Sequence, residues 1–238
     1  MRKKKILVAC GYSSYGRGVE GLGHLVNDNA EFFANPKDFS LVLFAGGADV
    51  GPGLYGDISP KGFCHTNPSR DTQEKALFDC ALENGIKMAG ICRGVQILTA
   101  LTGGRLIHHL DGHSGSHMMC TTMNDDIIQV NSIHHQMCIP SKGNLVVGWS
   151  AERLSKRYIG KADNEEAYNG PEVEAVLFPE IGALGVQYHP EMMNQGNPAY
   201  QFFWRGVEAL LTRDMDYVLS MYTAALTTDK PLEKSIST

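Results

Sequence analysis

Apolar runs of strand length alternate along the chain with stretches of helical period, the arrangement expected of parallel strands joined by helical crossovers. Residues 4–9, 40–44 and 87–91 are the first three runs, each apolar nearly throughout, as strands covered on both faces are. Between the last two, residues 71–84 put Ala76, Leu77, Cys80 and Ala81 on one stripe and are followed by Gly85, which predicts a helix and its stop. The spacing predicts a second helix over about 94–101, ended by Thr102-Gly103-Gly104. Farther on the pattern changes. Residues 127–132, 145–149, 174–178 and 182–188 are short strand-like pieces between polar turns, more antiparallel in style. Residues 200–211 form an amphipathic helix with Phe203, Val207, Leu210 and Leu211 on one side, extended or followed by another through Tyr222. The expectation is an α/β fold: one open, mostly parallel sheet with helices on both faces and a smaller antiparallel section. No internal repeat or low-complexity linker divides the chain, so residues 1–226 read as a single domain and 227–238 as a polar tail.

Composition narrows the partners. The 238 residues carry 21 Lys and Arg against 26 Asp and Glu, a net charge of -5, so no global field gathers phosphate backbones and nucleic acid is not expected as a partner. The basic start Met1-Arg2-Lys3-Lys4-Lys5 precedes only four apolar residues, far short of a signal-peptide core or a bilayer span. A cytoplasmic protein without membrane partners is the expectation. Six cysteines, at 10, 64, 80, 92, 120 and 138, with no Cys-x-x-Cys spacing, do not make a disulfide scaffold. Cys10, Cys80, Cys120 and Cys138 read as small core residues.

Cys92 reads otherwise. Gly90-Ile91-Cys92-Arg93-Gly94 lies between a predicted buried strand and a predicted helix, the setting of a nucleophile elbow with Cys in place of Ser. A sharp strand-to-helix turn leaves no room for side chains two residues to either side, and the free N–H groups of the helix start favour a thiolate. A thiolate attacking a carbonyl needs a base and an acid for the leaving group, normally a His held by a carboxylate. Gln187-Tyr188-His189-Pro190-Glu191 supplies both at the end of the last strand. Pro190 enforces extension there, so Glu191 can bond one imidazole nitrogen while the other faces Cys92. Gly46 and Gly47 end the second strand at the carboxyl edge, where ligands bind in open α/β sheets. The backbone N–H groups of Gly47 and Arg93 are assigned as the oxyanion hole.

Four segments, Gly-Ile-Cys-Arg-Gly-Val-Gln (90–96), Gly-Val-Gln-Tyr-His-Pro-Glu (185–191), Gly-Gly-Ala-Asp-Val-Gly-Pro-Gly-Leu-Tyr-Gly (46–56) and Val-Asn-Ser-Ile-His-His-Gln (130–136), occur in order and at sensible spacing. Together they resemble the class I glutamine amidotransferase-like superfamily. The closest likeness is to its stand-alone gamma-glutamyl hydrolase branch, typified by gamma-glutamyl-gamma-aminobutyrate hydrolase. The resemblance implies a flavodoxin-like sheet, a triad of Cys92, His189 and Glu191, and cleavage of an amide at a glutamyl side chain. It also implies Gln96, one helical turn after the nucleophile, as a substrate contact, and it extends to Arg70-Asp71 with Glu74. Phe44-Ala45 stands where the family usually has Leu-Pro, and residues 12–36 do not read as the expected first crossover helix.

Other motifs compete for attention. Gly16-x-Gly18-x-x-Gly21 matches a dinucleotide fingerprint literally. However, Gly11 to Tyr15 separate it from the first strand and Gly23 spoils a following helix, so it reads as a flexible loop covering the active site. His108, His109, His113, His117 and Cys120 are dense enough to raise zinc, but Gly112 and Gly115 break the helix that would align them. A polar loop near the active site is the reading, with no metal. Alternation over 131–135 sets Ser132 and His134 on one face as substrate-site candidates, opposite Asn131, Ile133 and His135. The sequence thus predicts a cysteine-dependent hydrolase of a small gamma-glutamyl amide or glutamine, working through a thioester and needing no cofactor. Its alternatives are an amidotransferase subunit passing ammonia to a synthase partner, a non-catalytic module on the same fold and, more distantly, a nucleotide-dependent oxidoreductase.

Overall fold

The computed structural model describes residues 4–11, 13–124 and 126–223. The polar tail expected over 227–238 lies outside the described residues. Strands β1 (Lys5–Ala9), β2 (His24–Val26), β3 (Phe39–Phe44) and β4 (Lys87–Ile91) are interleaved with helices α1 (Asn29–Ala34), α2 (Pro68–Glu83) and α3 (Arg93–Leu101). A strand-rich stretch follows: β5 (Arg105–Ile107), β6 (His109–Leu110), β7 (Gly115–Thr121), β8 (Ile127–Ser132), β9 (Met137–Ile139), β10 (Leu145–Ser150), β11 (Tyr158–Ile159), β12 (Val173–Phe178) and β13 (Ala183–Val186). Helices α4 (Pro198–Thr212) and α5 (Met215–Thr223) come last.

Nine strands form one sheet in the order β2-β1-β3-β4-β13-β12-β10-β7-β8. The first five are mutually parallel. Beyond them β12 and β7 run against their neighbours while β10 and β8 rejoin the common direction, so the sheet is mostly parallel by strand direction. The antiparallel strands extend this same sheet instead of forming a separate layer. Two small ladders, β5 with β9 and β6 with β11, sit outside it.

Period-2 alternation in β1 explains the layers. Ile6 and Val8 join a core with Phe203, Val207, Leu210 and Val218 of α4 and α5, whereas Leu7 and Ala9 join another with Leu77, Phe78 and Ala81 of α2 and Val95 and Leu98 of α3. Helices therefore cover both faces. Asn67 and Asn197 cap α2 and α4, each accepting backbone N–H bonds and each followed by Pro in the first turn. These Asn-Pro pairs start both helices a few residues before the apolar pattern begins. No described helix is long and apolar enough to cross a membrane.

The structure differs from the sequence pattern on α2 and agrees with it in the first crossover. The buried stripe of α2 is Asp71, Glu74, Leu77, Phe78 and Ala81, while Ala76 is exposed and Cys80 only partly covered. Two carboxylates face inward because two arginines meet them there. Between β1 and β3 the first crossover is a 3-10 turn (Ser13–Val19), the short β2 and the two-turn α1, capped by Asp28. Gly16-x-Gly18-x-x-Gly21 falls within and after that turn, not at a strand-to-helix junction, so it lacks the setting of a dinucleotide site.

Phe203 is fully buried between α4 and the sheet. Phe203→Ala is expected to lower the unfolding free energy by about 3–5 kcal/mol, read from the urea midpoint at unchanged slope. A loss below about 1 kcal/mol would mean that α4 does not pack as described.

Candidate active site

The site starts from one strand pairing. β4 and β13 are parallel neighbours in register, with Ile91 opposite Val186, and the ladder continues as Cys92 N–H donates to the Val186 carbonyl at 2.7 Å. Whatever follows each strand must therefore emerge side by side at one sheet edge. Cys92 follows β4, and His189 follows β13. β3 lies on the other side of β4, with Phe44 opposite Gly90, and delivers Gly46 and Gly47 to the same edge.

Cys92 occupies the elbow in a strained backbone conformation, φ 53° and ψ -109°, which costs on the order of 1–3 kcal/mol for a non-glycine residue. Close packing holds it. A Cβ on Gly90 would overlap the Gly94 backbone, and one on Gly94 would overlap the Phe44 carbonyl. Cys92 is also the N-terminal flank of α3, so the first N–H groups of that helix, Arg93 included, lack intrahelical partners and carry the positive end of its dipole.

His189 is buried and its Nδ1 meets Glu191 Oε1 at 2.7 Å. Its Nε2 makes no hydrogen bond of standard geometry among the described residues. A Cβ built on Gly46 would lie 3.0 Å from His189 Cε1 and 3.6 Å from Cys92 Cβ, so the imidazole and the cysteine border the same gap. Burial lowers the proton affinity of His189, but the neighbouring Cys92 and Glu191 outweigh it and hold the pKa up at about 10. That direction favours the imidazolium form of His189, set beside a sulfur.

The Gly46-Gly47 loop is held from behind by a buried ion network. Glu74, fully buried, bonds Arg70 Nε at 2.8 Å and Arg93 Nε at 3.0 Å, and Asp71 takes Arg93 Nη2 at 2.7 Å. The remaining guanidinium donors go to loop carbonyls: Arg70 to Ala45 (2.8 Å) and Gly46 (3.0 Å), Arg93 to Ala48 (2.7 Å). Because a trans peptide points its N–H opposite its C=O, fixing the Gly46 carbonyl on Arg70 turns the Gly47 N–H to the other side. Position 47 must be glycine, since φ is 151° and any Cβ would overlap the Arg70 guanidinium.

The structure thus brings Cys92, Arg93, His189, Glu191 and Gly47 to one edge. The other expected site residues point inward. Gln96 is buried, and its Nε2 donates to the Gln136 carbonyl and Gln187 Oε1, both at 3.5 Å. Ser132 donates to the His113 carbonyl at 2.7 Å, and His134 is buried with Nδ1 on the Gln136 carbonyl at 2.9 Å. His108 pairs with Asp163, and His109 packs beside His135, while His113 and His117 meet on Glu174. Sequence reasoning missed Asn131, whose side chain accepts from His189 N–H (2.8 Å) and donates to the His189 carbonyl (3.2 Å), fixing the segment that carries the imidazole. It also missed Tyr15. A Cβ on Gly46 would lie 2.9 Å from the Tyr15 hydroxyl, and burial, then Glu191 and Cys92, push that phenol up. The only sequence signal for either was position: Asn131 opens the 131–135 alternation, and Tyr15 adjoins the glycine loop.

The chain belongs to the Peptidase C26 family, whose family model matches residues 27–191. Gamma-glutamyl-gamma-aminobutyrate hydrolase of Escherichia coli O157:H7 is 38% identical over 171 residues, covering 66% of this chain and 65% of that protein. The glutamine amidotransferase-like protein YvdE of Lactococcus lactis is 30% identical over 171 residues, covering 63% of this chain and 65% of its own. The match therefore spans just under two thirds of the length of either relative. In fold, the chain resembles the crystal structure of a glutamine amidotransferase from Thermotoga maritima, with a TM-score of 0.52 at 16% identity over 95% of this chain and 97% of that one.

The raised pKa of His189 has a stability signature. Its proton contributes fully below the ordinary value of 6.5; the contribution shrinks as pH rises above that and is gone once pH passes the folded value of about 10. Urea denaturation of wild type and His189→Gln on either side of these limits is expected to show the stability difference narrowing over that window, and a difference flat with pH would contradict the imidazolium.

Proposed function

We propose that the protein is a cysteine-dependent hydrolase that cleaves a gamma-glutamyl amide through a thioester. The observation carrying this reading is the junction of β4 and β13, which sets the strained Cys92 beside an imidazole already bonded to Glu191. Cys92 sulfur attacks the side-chain amide carbonyl, and the carbonyl oxygen takes the negative charge while receiving hydrogen bonds from the Gly47 and Arg93 N–H groups. The tetrahedral centre collapses as the His189 imidazolium gives its proton to the departing nitrogen. His189, now neutral, takes a proton from water; the hydroxide breaks the thioester, releasing glutamate and restoring the thiolate and imidazolium. Glu191 keeps Nδ1 protonated and the ring oriented throughout, and Asn131 anchors the backbone on which it turns. This acyl transfer draws on no metal or organic cofactor.

The gamma-glutamyl part of the reading is supported by the named activity of the Escherichia coli relative. Gln96, Ser132 and His134 keep internal partners in this geometry, so no direct substrate contact is assigned to them. The test is glutamate release from glutamine and from a panel of small gamma-glutamyl amides. Wild type is expected to turn over at least one of them, and Cys92→Ala to lose at least about a thousandfold in rate. Turnover that survives in Cys92→Ala would overturn the assignment.

A further inference from the structure

A second constellation lies apart from Cys92. His113 in the turn before β7, His117 on β7 and Glu174 on β12 converge in the antiparallel half of the sheet, with His134, just after β8, beside Glu174. Three imidazole Nε2 atoms surround a single carboxylate oxygen, Glu174 Oε1, at 2.7 Å (His113), 3.0 Å (His117) and 3.6 Å (His134). The donor atoms of His113, His117 and Glu174 all lie within 4.8 Å of one another. Tetrahedral zinc bonds of about 2.0–2.1 Å put ligand atoms about 3.3 Å apart, in the middle of these separations.

The hydrogen bonds behind the cluster point the same way. His134 Nδ1 donates to the Gln136 carbonyl at 2.9 Å, which turns its Nε2 toward the carboxylate, 3.6 Å from Glu174 Oε1. That Nε2 is buried without a hydrogen-bond partner among the described residues, and so is Glu174 Oε2. Two buried polar atoms left unpaired at the cluster are a second observation pointing to a cation held among these side chains. His113 Nδ1 is held by Glu172 Oε2 at 3.1 Å, and Glu172 is itself fixed by the Leu154 and Ser155 N–H groups and the Tyr158 hydroxyl. A carboxylate behind a ligating histidine, anchored in turn, is the usual support of a zinc-bound imidazole. A divalent ion would also balance the two buried carboxylates, Glu172 and Glu174.

We propose that His113, His117, His134 and Glu174 bind a divalent transition-metal ion of borderline softness, zinc in the first instance, as a site separate from Cys92. Its place in the fold gives it a positioning role. The Glu174 carbonyl accepts the Gln187 N–H at 2.7 Å, two residues before His189, and Ser132, whose hydroxyl holds the His113 carbonyl, is the neighbour of Asn131. The ion would staple the strand ends that hold the imidazole. The proposal stands whether or not Cys92 is a catalytic nucleophile.

The experiment is metal analysis of the whole protein, stripped with a chelator and then equilibrated with Zn2+ or Co2+. Wild type is expected to retain about one ion per chain, as a mononuclear site of four protein ligands does. The Co2+ protein is expected to show visible d–d absorption without a thiolate charge-transfer band. His117→Ala and Glu174→Gln are each expected to bind about a hundredfold more weakly or worse, while Cys92→Ala and Cys64→Ser bind as wild type. Wild type that takes up no ion, or uptake that carries a thiolate band and disappears in a cysteine variant, would overturn the proposal. Should the histidine and glutamate variants fail to fold, the stoichiometry and cobalt spectrum of wild type decide alone.

Discussion

The parallel pairing of β4 with β13 is the constraint on which the rest depends. One hydrogen bond past the ladder, from Cys92 N–H to the Val186 carbonyl, brings together two segments almost a hundred residues apart in sequence. The elbow after β4 and the extended His-Pro-Glu after β13 have fixed shapes of their own. The register therefore decides that the sulfur and the imidazole share one gap. A one-residue slip would turn successive side chains to the other face of the sheet and separate them.

Around that junction, burial and charge are arranged to hold backbone more than side chains. Arg70 and Arg93 divide their donors between the carbonyls of residues 45, 46 and 48 and the carboxylates of Asp71 and Glu74, Glu74 from a fully buried position. Removing one member of such a buried ion set leaves its partners uncompensated, which is why these charges work as a unit. Asn131 does the same for the His189 segment with neutral hydrogen bonds. The strained φ of Cys92 persists because both sides of the elbow are over-determined in this way.

Much of this was legible in the sequence because it is local. The elbow, the His-Pro-Glu segment and the glycine pair are each a few contiguous residues whose geometry follows from Gly, Pro and strand-to-helix context. The alternation of apolar runs and helical stretches likewise foretold an open α/β sheet with helices on both faces. What was not legible depends on partners distant in sequence. The apolar stripe predicted for α2 does not contain Asp71 and Glu74, and it is Arg93, about twenty residues on at the start of α3, that meets both of them in the interior. Alternation correctly put Ser132 and His134 on a common side but could not tell that this side is interior, closed by His113 and Glu174. Gly112 and Gly115 do break any helix through the histidine run, yet a turn leading into β7 brings His113 and His117 together just as well, with ring centroids 4.8 Å apart. Tyr15 reaches the site because the glycine-rich segment folds as a tight turn packed against α4, with Gly18 under the Trp204 ring, a contact that no short-range pattern encodes.

The central claim is that Cys92 is a paired, reactive sulfur whose chemistry depends on the imidazole brought beside it. Covalent labelling with an electrophilic glutamine analogue, located by peptide mass spectrometry, tests it most directly. The account predicts one adduct per chain, on Cys92, forming much more slowly in His189→Ala although that variant remains folded. Labelling spread over the other cysteines, or a Cys92 rate indifferent to His189, would contradict it.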